Sequence, residues 1–238
     1  MLKIHHLVVP AIATAVSLSL VGCSGKSKTS ATPSPSSTST ARSSTQPSAD
    51  PSPPVGAITA AQARAAILHP ADLPGKYRID TEGVDQHADD PVGCQVFDDF
   101  HLGALKAHMV AAINLSASDQ GPFATEEIST HTVAEAQSLM ARFKAITSQC
   151  GSFTTKDQNN NDLHWTAAPL TIPAEGDDYA AFRAKVTQST DPSNFDITLT
   201  RVGGNLVFVT EGRTKGEAPL TPTLVAKAVA KVKQAAKA

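Results

Sequence analysis

The hydrophobic and polar positions divide the chain into three stretches. An apolar run from Leu7 to Leu20 follows a short tip carrying Lys3. From Ser24 to Gly56 large apolar side chains all but disappear, and Ser, Thr and Pro dominate. Beyond residue 57 apolar positions return at regular spacing, first near 3.6 and later near 2, the periods of an amphipathic helix and of a half-buried strand.

Within the third stretch, Thr59-Ala60-Ala61-Gln62 has the form of a capping box. It opens a short helix with Ala63, Ala66 and Ile67 on one face, stopped by Pro70. A turn at Pro74-Gly75 and a polar acidic loop from Glu82 to Asp90 follow. The next segment holds Cys94, Phe97, Phe100, Leu102 and Leu105 as anchors without a clear period. Met109, Ala111, Ile113 and Leu115 then alternate with Val110, Ala112 and Asn114, which predicts a strand. A turn at Asp119-Gln120-Gly121-Pro122 leads to a second strand over Phe123 to Thr130. Thr132-Val133-Ala134-Glu135 is another capping box, and the helix it starts carries Ala136, Leu139, Met140, Phe143 and Ile146 at helical spacing. Gly151 suits its C-terminal cap.

After that helix the period changes to 2. Short strands are expected at Ser152–Lys156, around Leu163–Thr166 and at Tyr179–Thr187, where Phe182, Ala184 and Val186 face one way. Phe195, Ile197 and Leu199 alternate up to Gly203-Gly204, a tight turn in which both glycines are free to take positive φ, and Leu206 to Val209 returns. Thr221 reads as an N-cap with Pro222 at the first helical position. Leu224, Val225, Ala228, Val229 and Val232 form the stripe of a closing helix with lysines on its polar side. That stripe is narrow and lacks aromatics, so it suits packing on the sheet better than lying on a membrane. The fold class is α+β: a mainly antiparallel sheet packed with helices, preceded by a signal peptide and a disordered tether.

The leader changes the picture most. A basic tip, an apolar core and small residues, in that order, read as a secretory signal, and the run is short for a membrane span. Leu20-Val21-Gly22-Cys23 resembles the bacterial lipobox. The resemblance implies cleavage before Cys23, acylation of that residue by membrane lipid, palmitate included, and a protein held on the extracytoplasmic face of the cell membrane. The alternative is an ordinary secretory signal containing a cysteine. The domain plan is residues 1–22 as lipoprotein signal peptide, 23–56 as lipidated Cys and Ser/Thr/Pro-rich tether, and 57–238 as the folded head. The tether cannot bury enough surface to offset its ordering entropy, and its prolines favour extended conformations.

Composition narrows the partners. Net charge is −2, without a basic cluster, which argues against nucleic-acid binding. Aromatics make up 5% of residues and Ala is abundant, so the core is aliphatic; with the Pro- and Thr-rich spacer this points to a high-GC bacterium, an actinobacterium. Once Cys23 carries lipid, Cys94 and Cys150 remain as an even pair in an oxidising compartment, where a disulfide is the default.

Candidate chemistry is sparse. His87 with Asp85, Asp89 and Asp90 could hold a divalent cation, as could Glu175, Asp177 and Asp178, but neither spacing matches a known metal loop and both read first as solvated charge. His101 and His108 sit seven apart, close enough to share a helix face, and read first as structural. No nucleophile elbow, zinc-protease pair, phosphate-cradling glycine loop or penicillin-binding signature occurs in the head. The expectation is no catalytic residue, no metal and no cofactor.

Four pieces of the head carry a family resemblance: the early Ala-rich helix running into Asp72-Leu73-Pro74; the helix from Glu135 to Ile146 ending at Cys150; Gly176-Asp177-Asp178 before a strand; and Arg201-Val202-Gly203-Gly204-Asn205-Leu206-Val207. Together they resemble the extracellular sensor domain of PknH-type mycobacterial serine/threonine kinases, a domain also found alone in actinobacterial lipoproteins. The resemblance spans most of residues 57–238. It implies an antiparallel sheet with helices, a cleft, and sensing or ligand capture outside the membrane. Two departures stand out: that domain has two disulfides where this head can make one, and no kinase accompanies it here. The expected partners are a cell-wall, lipid or peptide ligand or, alternatively, an envelope protein on which the head docks. A cell-wall hydrolase is the least favoured reading.

Overall fold

The computed structural model of the chain describes residues 56–84, 92–119, 121–156, 160–187, 193–213 and 216–238. The leader, Cys23 and the spacer up to residue 55 lie outside the described residues, as do Asp85, His87, Asp89 and Asp90.

Helix α1 (Ala60–Ala66) starts at the Thr59 capping box, both halves of which form. A single 3-10 turn at Pro70–Asp72 follows, then strand β1 (Arg78–Glu82). Helix α2 (Gln95–Asp98) continues without a break into a π-helical turn at Asp99–Leu105 and a 3-10 turn at Lys106–His108. Strands β2 (Met109–Ser116) and β3 (Phe123–Thr130) precede helix α3 (Val133–Gln149), which opens on the Thr132 capping box. Strands β4 (Ser152–Lys156), β5 (Asp162–Pro169), β6 (Asp178–Thr187), β7 (Ser193–Val202) and β8 (Asn205–Arg213) then lead to helix α4 (Thr221–Ala235).

All eight strands join one antiparallel sheet in the order β1-β2-β3-β8-β7-β6-β5-β4. The architecture is the expected α+β class, and both faces of the sheet carry helices. On one face α1 and α4 pack together over Ala111, Ile113 and Leu115 of β2, Ile128 of β3, and Val207 and Val209 of β8. Because successive strand side chains point to opposite faces, the neighbours of these residues look the other way. There Leu199, Leu206 and Phe208 meet Leu139, Met140, Phe143 and Ile146 of α3 and Phe97 and Phe100 of the α2 region.

Several local expectations are revised. Thr221 is the first residue of α4, not its N-cap; Leu220 holds that position without a side-chain cap. The Glu211 carboxylate takes over, accepting from the backbone N–H groups of Leu220 (2.8 Å) and Thr221 (2.6 Å). Cys150 is the C-cap of α3, and Gly151 keeps a negative φ. In the β7–β8 turn only Gly203 takes a positive φ, +61°, whereas Gly204 is needed for space. A Cβ on Gly204 would lie 2.3 Å from the His131 carbonyl oxygen, beside the bond that the His131 N–H donates to the Gly204 carbonyl. The apolar stripe of α4 is buried against α1 and the sheet, which leaves it no apolar face for a membrane.

Cys94 and Cys150 are joined, their Cα atoms 5.9 Å apart. The bridge connects the N-cap of α2 to the C-cap of α3 and closes a span of 56 residues, worth about 4 kcal/mol if loop entropy alone counts.

Candidate functional site

The α2 region and the end of α3 roof the second face of the sheet without filling the space beneath. A cavity of about 310 Å³ remains there, within the size range of small-molecule sites. Phe97 and His101 on the α2 side and Ile146 and Cys150 on the α3 side form its roof, held together by the disulfide. Val92 stands at the mouth. Its backbone N–H and that of Gly93 both donate to the Asp98 carboxylate, at 2.8 and 3.0 Å, fixing the entrance to the first turn of α2.

The floor is the sheet. Five of the eight phenylalanines and the only tryptophan line this one cavity, in a chain with 5% aromatics. Phe153 on β4 and Trp165 on β5 stack, their planes 5° apart and their centroids separated by 5.7 Å. Phe195 leans on the indole at 5.5 Å, and the indole N–H donates to Thr155. Ala167 and Ala184 sit among these rings and keep the floor open.

Polar groups gather at the opposite end. Asn114 on β2 donates to Thr81 and accepts from the Thr125 hydroxyl, both at 2.7 Å. Next to them Glu127, almost fully buried, pairs with His101 Nε2 at 2.8 Å. The imidazole is sandwiched between Phe97 (5.6 Å) and Phe208 (4.9 Å), so its orientation is set by packing as well as by the carboxylate. Chemically the arrangement offers a greasy slot with hydrogen-bonding groups at one end. Sequence reasoning noted His101 but missed Glu127, Asn114 and Thr125. Asn114 left a trace, as the one amide on a strand whose other positions through Leu115 are apolar.

The chain is similar in fold to the extracellular domain of PknH from Mycobacterium tuberculosis. The TM-score is 0.48 at 15% identity, and the match covers 71% of this chain and 94% of that chain. No protein-family model and no curated protein sequence matches.

The other candidate residues go elsewhere. His108 faces His131, ring centroids 4.7 Å apart, in a separate shallow depression; burial, aided by His108, pushes the His131 imidazole down to about 4. His101 and His108 therefore serve different environments. Asp178 pairs with Lys144 at 2.6 Å, while Asp177 accepts from the Gly203 N–H at 2.7 Å and from Arg201. Among the described residues no three His, Cys, Asp or Glu side chains converge as metal ligands. Two of the four short motifs behind the family resemblance, Gly176-Asp177-Asp178 and Arg201 to Val207, thus meet at one structural joint. Gly176, at φ +70°, passes so close to β7 that a Cβ would lie 2.5 Å from the Arg201 carbonyl oxygen. Asn205, fully buried, donates to the Gly56 and Val202 carbonyls and accepts from the Ile58 N–H. Asp72 likewise ties the turn after α1 to Lys231 of α4.

Proposed function

We propose that this chain is a membrane-anchored extracytoplasmic lipoprotein of the cell envelope whose head is a ligand-binding or sensor module. The anchor rests on the lipobox-like Leu20-Val21-Gly22-Cys23. The binding role rests on one observation above the rest: a chain poor in aromatics concentrates them around one cavity, with its polar groups at one end. Binding is favoured over bond-breaking because, among the described residues, the His101 imidazole paired with Glu127 meets no hydroxyl or thiol nucleophile, and the lining Cys150 is bridged. A hydrolytic site would set that imidazole against a nucleophile or a water.

Trp165 makes the reading testable, since the only indole in the chain lines the cavity. Titrating the protein with small apolar and amphiphilic probes should change its fluorescence saturably. A signal that stays flat across the panel, while crosslinking in cells yields a reproducible protein partner, would replace this reading with that of a docking lipoprotein.

A further inference from the structure

The cavity has a direction, and its strand register gives it. Asn114 pairs with Thr125, Thr125 with Thr210, Thr210 with Ile197, and Ile197 with Phe182, so these five side chains form one row across β2, β3, β8, β7 and β6. All five line the cavity. Its first three members are polar and its last two apolar, a gradient running along the hydrogen-bonding direction of the sheet. Ala184, Ala167, Trp165 and Phe153 carry the apolar end onward to β4.

From β2 to β4 the cavity crosses seven strands. At about 4.8 Å per step its length is on the order of 20–30 Å, allowing for twist. A volume of about 310 Å³ spread over that length makes the cavity long for its width, a shape that suits an extended chain of methylenes better than a compact ring body.

Charge selects the head group. Among the described lining residues neither Lys nor Arg occurs, and the imidazole of His101 is already engaged by Glu127. A carboxylate or phosphate placed at the polar end would lie beside the Glu127 carboxylate, with no Lys or Arg among the described lining residues to offset it. A hydroxyl or amide meets no such penalty: it can donate to Glu127 or Asn114 and accept from the second amide N–H of Asn114.

We propose that the ligand is a single-chain amphiphile with an uncharged, hydrogen-bonding head, its head over Asn114, Thr125 and Glu127 and its tail lying across the strands toward Trp165 and Phe153. This rests on the binding reading above and specifies the ligand class.

The test uses the full chain carrying Cys23→Ala, so that no acyl group of its own competes, with Trp165 fluorescence as readout. The probes are monopalmitoylglycerol, monobutyrylglycerol with the same head and a short tail, palmitate with the same tail and an anionic head, and pyrene as a compact ring system. Monopalmitoylglycerol should bind at least about tenfold more tightly than each of the other three, about 1.4 kcal/mol. Ala184→Phe, which obstructs the middle of the passage, should weaken it by a similar factor with the thermal midpoint unchanged. If that variant does not fold, Ala167→Leu at a half-exposed position places the block one strand further along. Equal binding of the long and short tails, preference for palmitate, or preference for pyrene would overturn the proposed ligand class while leaving the binding reading intact. Silence from all four probes would overturn both.

Discussion

The carboxylate of Glu126, on β3, accepts a 2.6 Å hydrogen bond from the backbone N–H of Leu68, just beyond α1, at a point closed to solvent. Burial pushes this carboxyl up from the ordinary 4.5 to about 8. The folded state therefore holds a proton that the unfolded chain releases. The contribution is complete below pH 4.5 and fades as pH rises toward 8, where the folded state ionises too. The expected loss is at most about 1.4 kcal/mol per pH unit in that window. Glu126→Gln keeps an acceptor for Leu68 and should flatten the slope. Denaturant titrations across the window would refute this by giving both proteins the same pH dependence.

Asp196 on β7 shows the opposite sign. Burial alone would raise its carboxyl, but Arg183 at 2.5 Å and Arg213 at 2.8 Å hold it below the ordinary value. Its contribution is present above pH 3.8 and is lost on acidification. Asp196→Ala strands the buried Arg213 guanidinium and should cost about 3 kcal/mol or more, since one member of a buried pair is left without the other. Urea unfolding near neutral pH is the measurement, and a loss below about 1 kcal/mol would show that Glu211, 3.9 Å away, suffices for Arg213.

The two turn glycines should respond differently to alanine. Gly204→Ala forces a methyl against the His131 carbonyl and should cost about 2 kcal/mol or more. Gly203→Ala meets nothing closer than 3.5 Å and loses only the ease of its positive φ, about 1 kcal/mol. Thermal melts of the pair rank them, and the reverse ranking would contradict the geometry of the turn.

Removing the bridge by Cys94→Ser with Cys150→Ser should lower stability by up to about 4 kcal/mol. It should also loosen the roof over Trp165, shown by faster quenching of the indole by acrylamide. Unchanged quenching would mean that Asp98 and its bonds to Val92 and Gly93 hold the roof without the sulfurs.

Cys23→Ala should abolish metabolic acyl labelling and release the protein from the membrane fraction. Retention without label would locate the attachment elsewhere.

What sequence could show followed from how local each cause is. The boxes at Thr59 and Thr132 act within four residues, so the starts of α1 and α3 were legible. The stripe from Ala136 to Ile146 was legible for the same reason, and every member is buried. Strand β1 was not, because Arg78–Glu82 is an edge strand with mostly exposed side chains and no alternation to detect. The α2 region escaped because its π-helical turn breaks the 3.6 period. The cavity was least legible of all: the row from Asn114 to Phe182 is assembled from five strands, and each member is unexceptional in its own segment.

The amide of Asn205 grips the backbone at Gly56 and Ile58, where the described chain enters the head, and Asn205 itself begins β8. Tension applied at Gly56 is therefore delivered to the middle of the sheet, where β8 and β7 are flanked on both sides, instead of peeling an outer strand. Under traction the head should yield first at that single side chain, freeing α1 before any strand separates, so that mechanical compliance and sheet integrity are separable in a pulling experiment on Asn205→Ala.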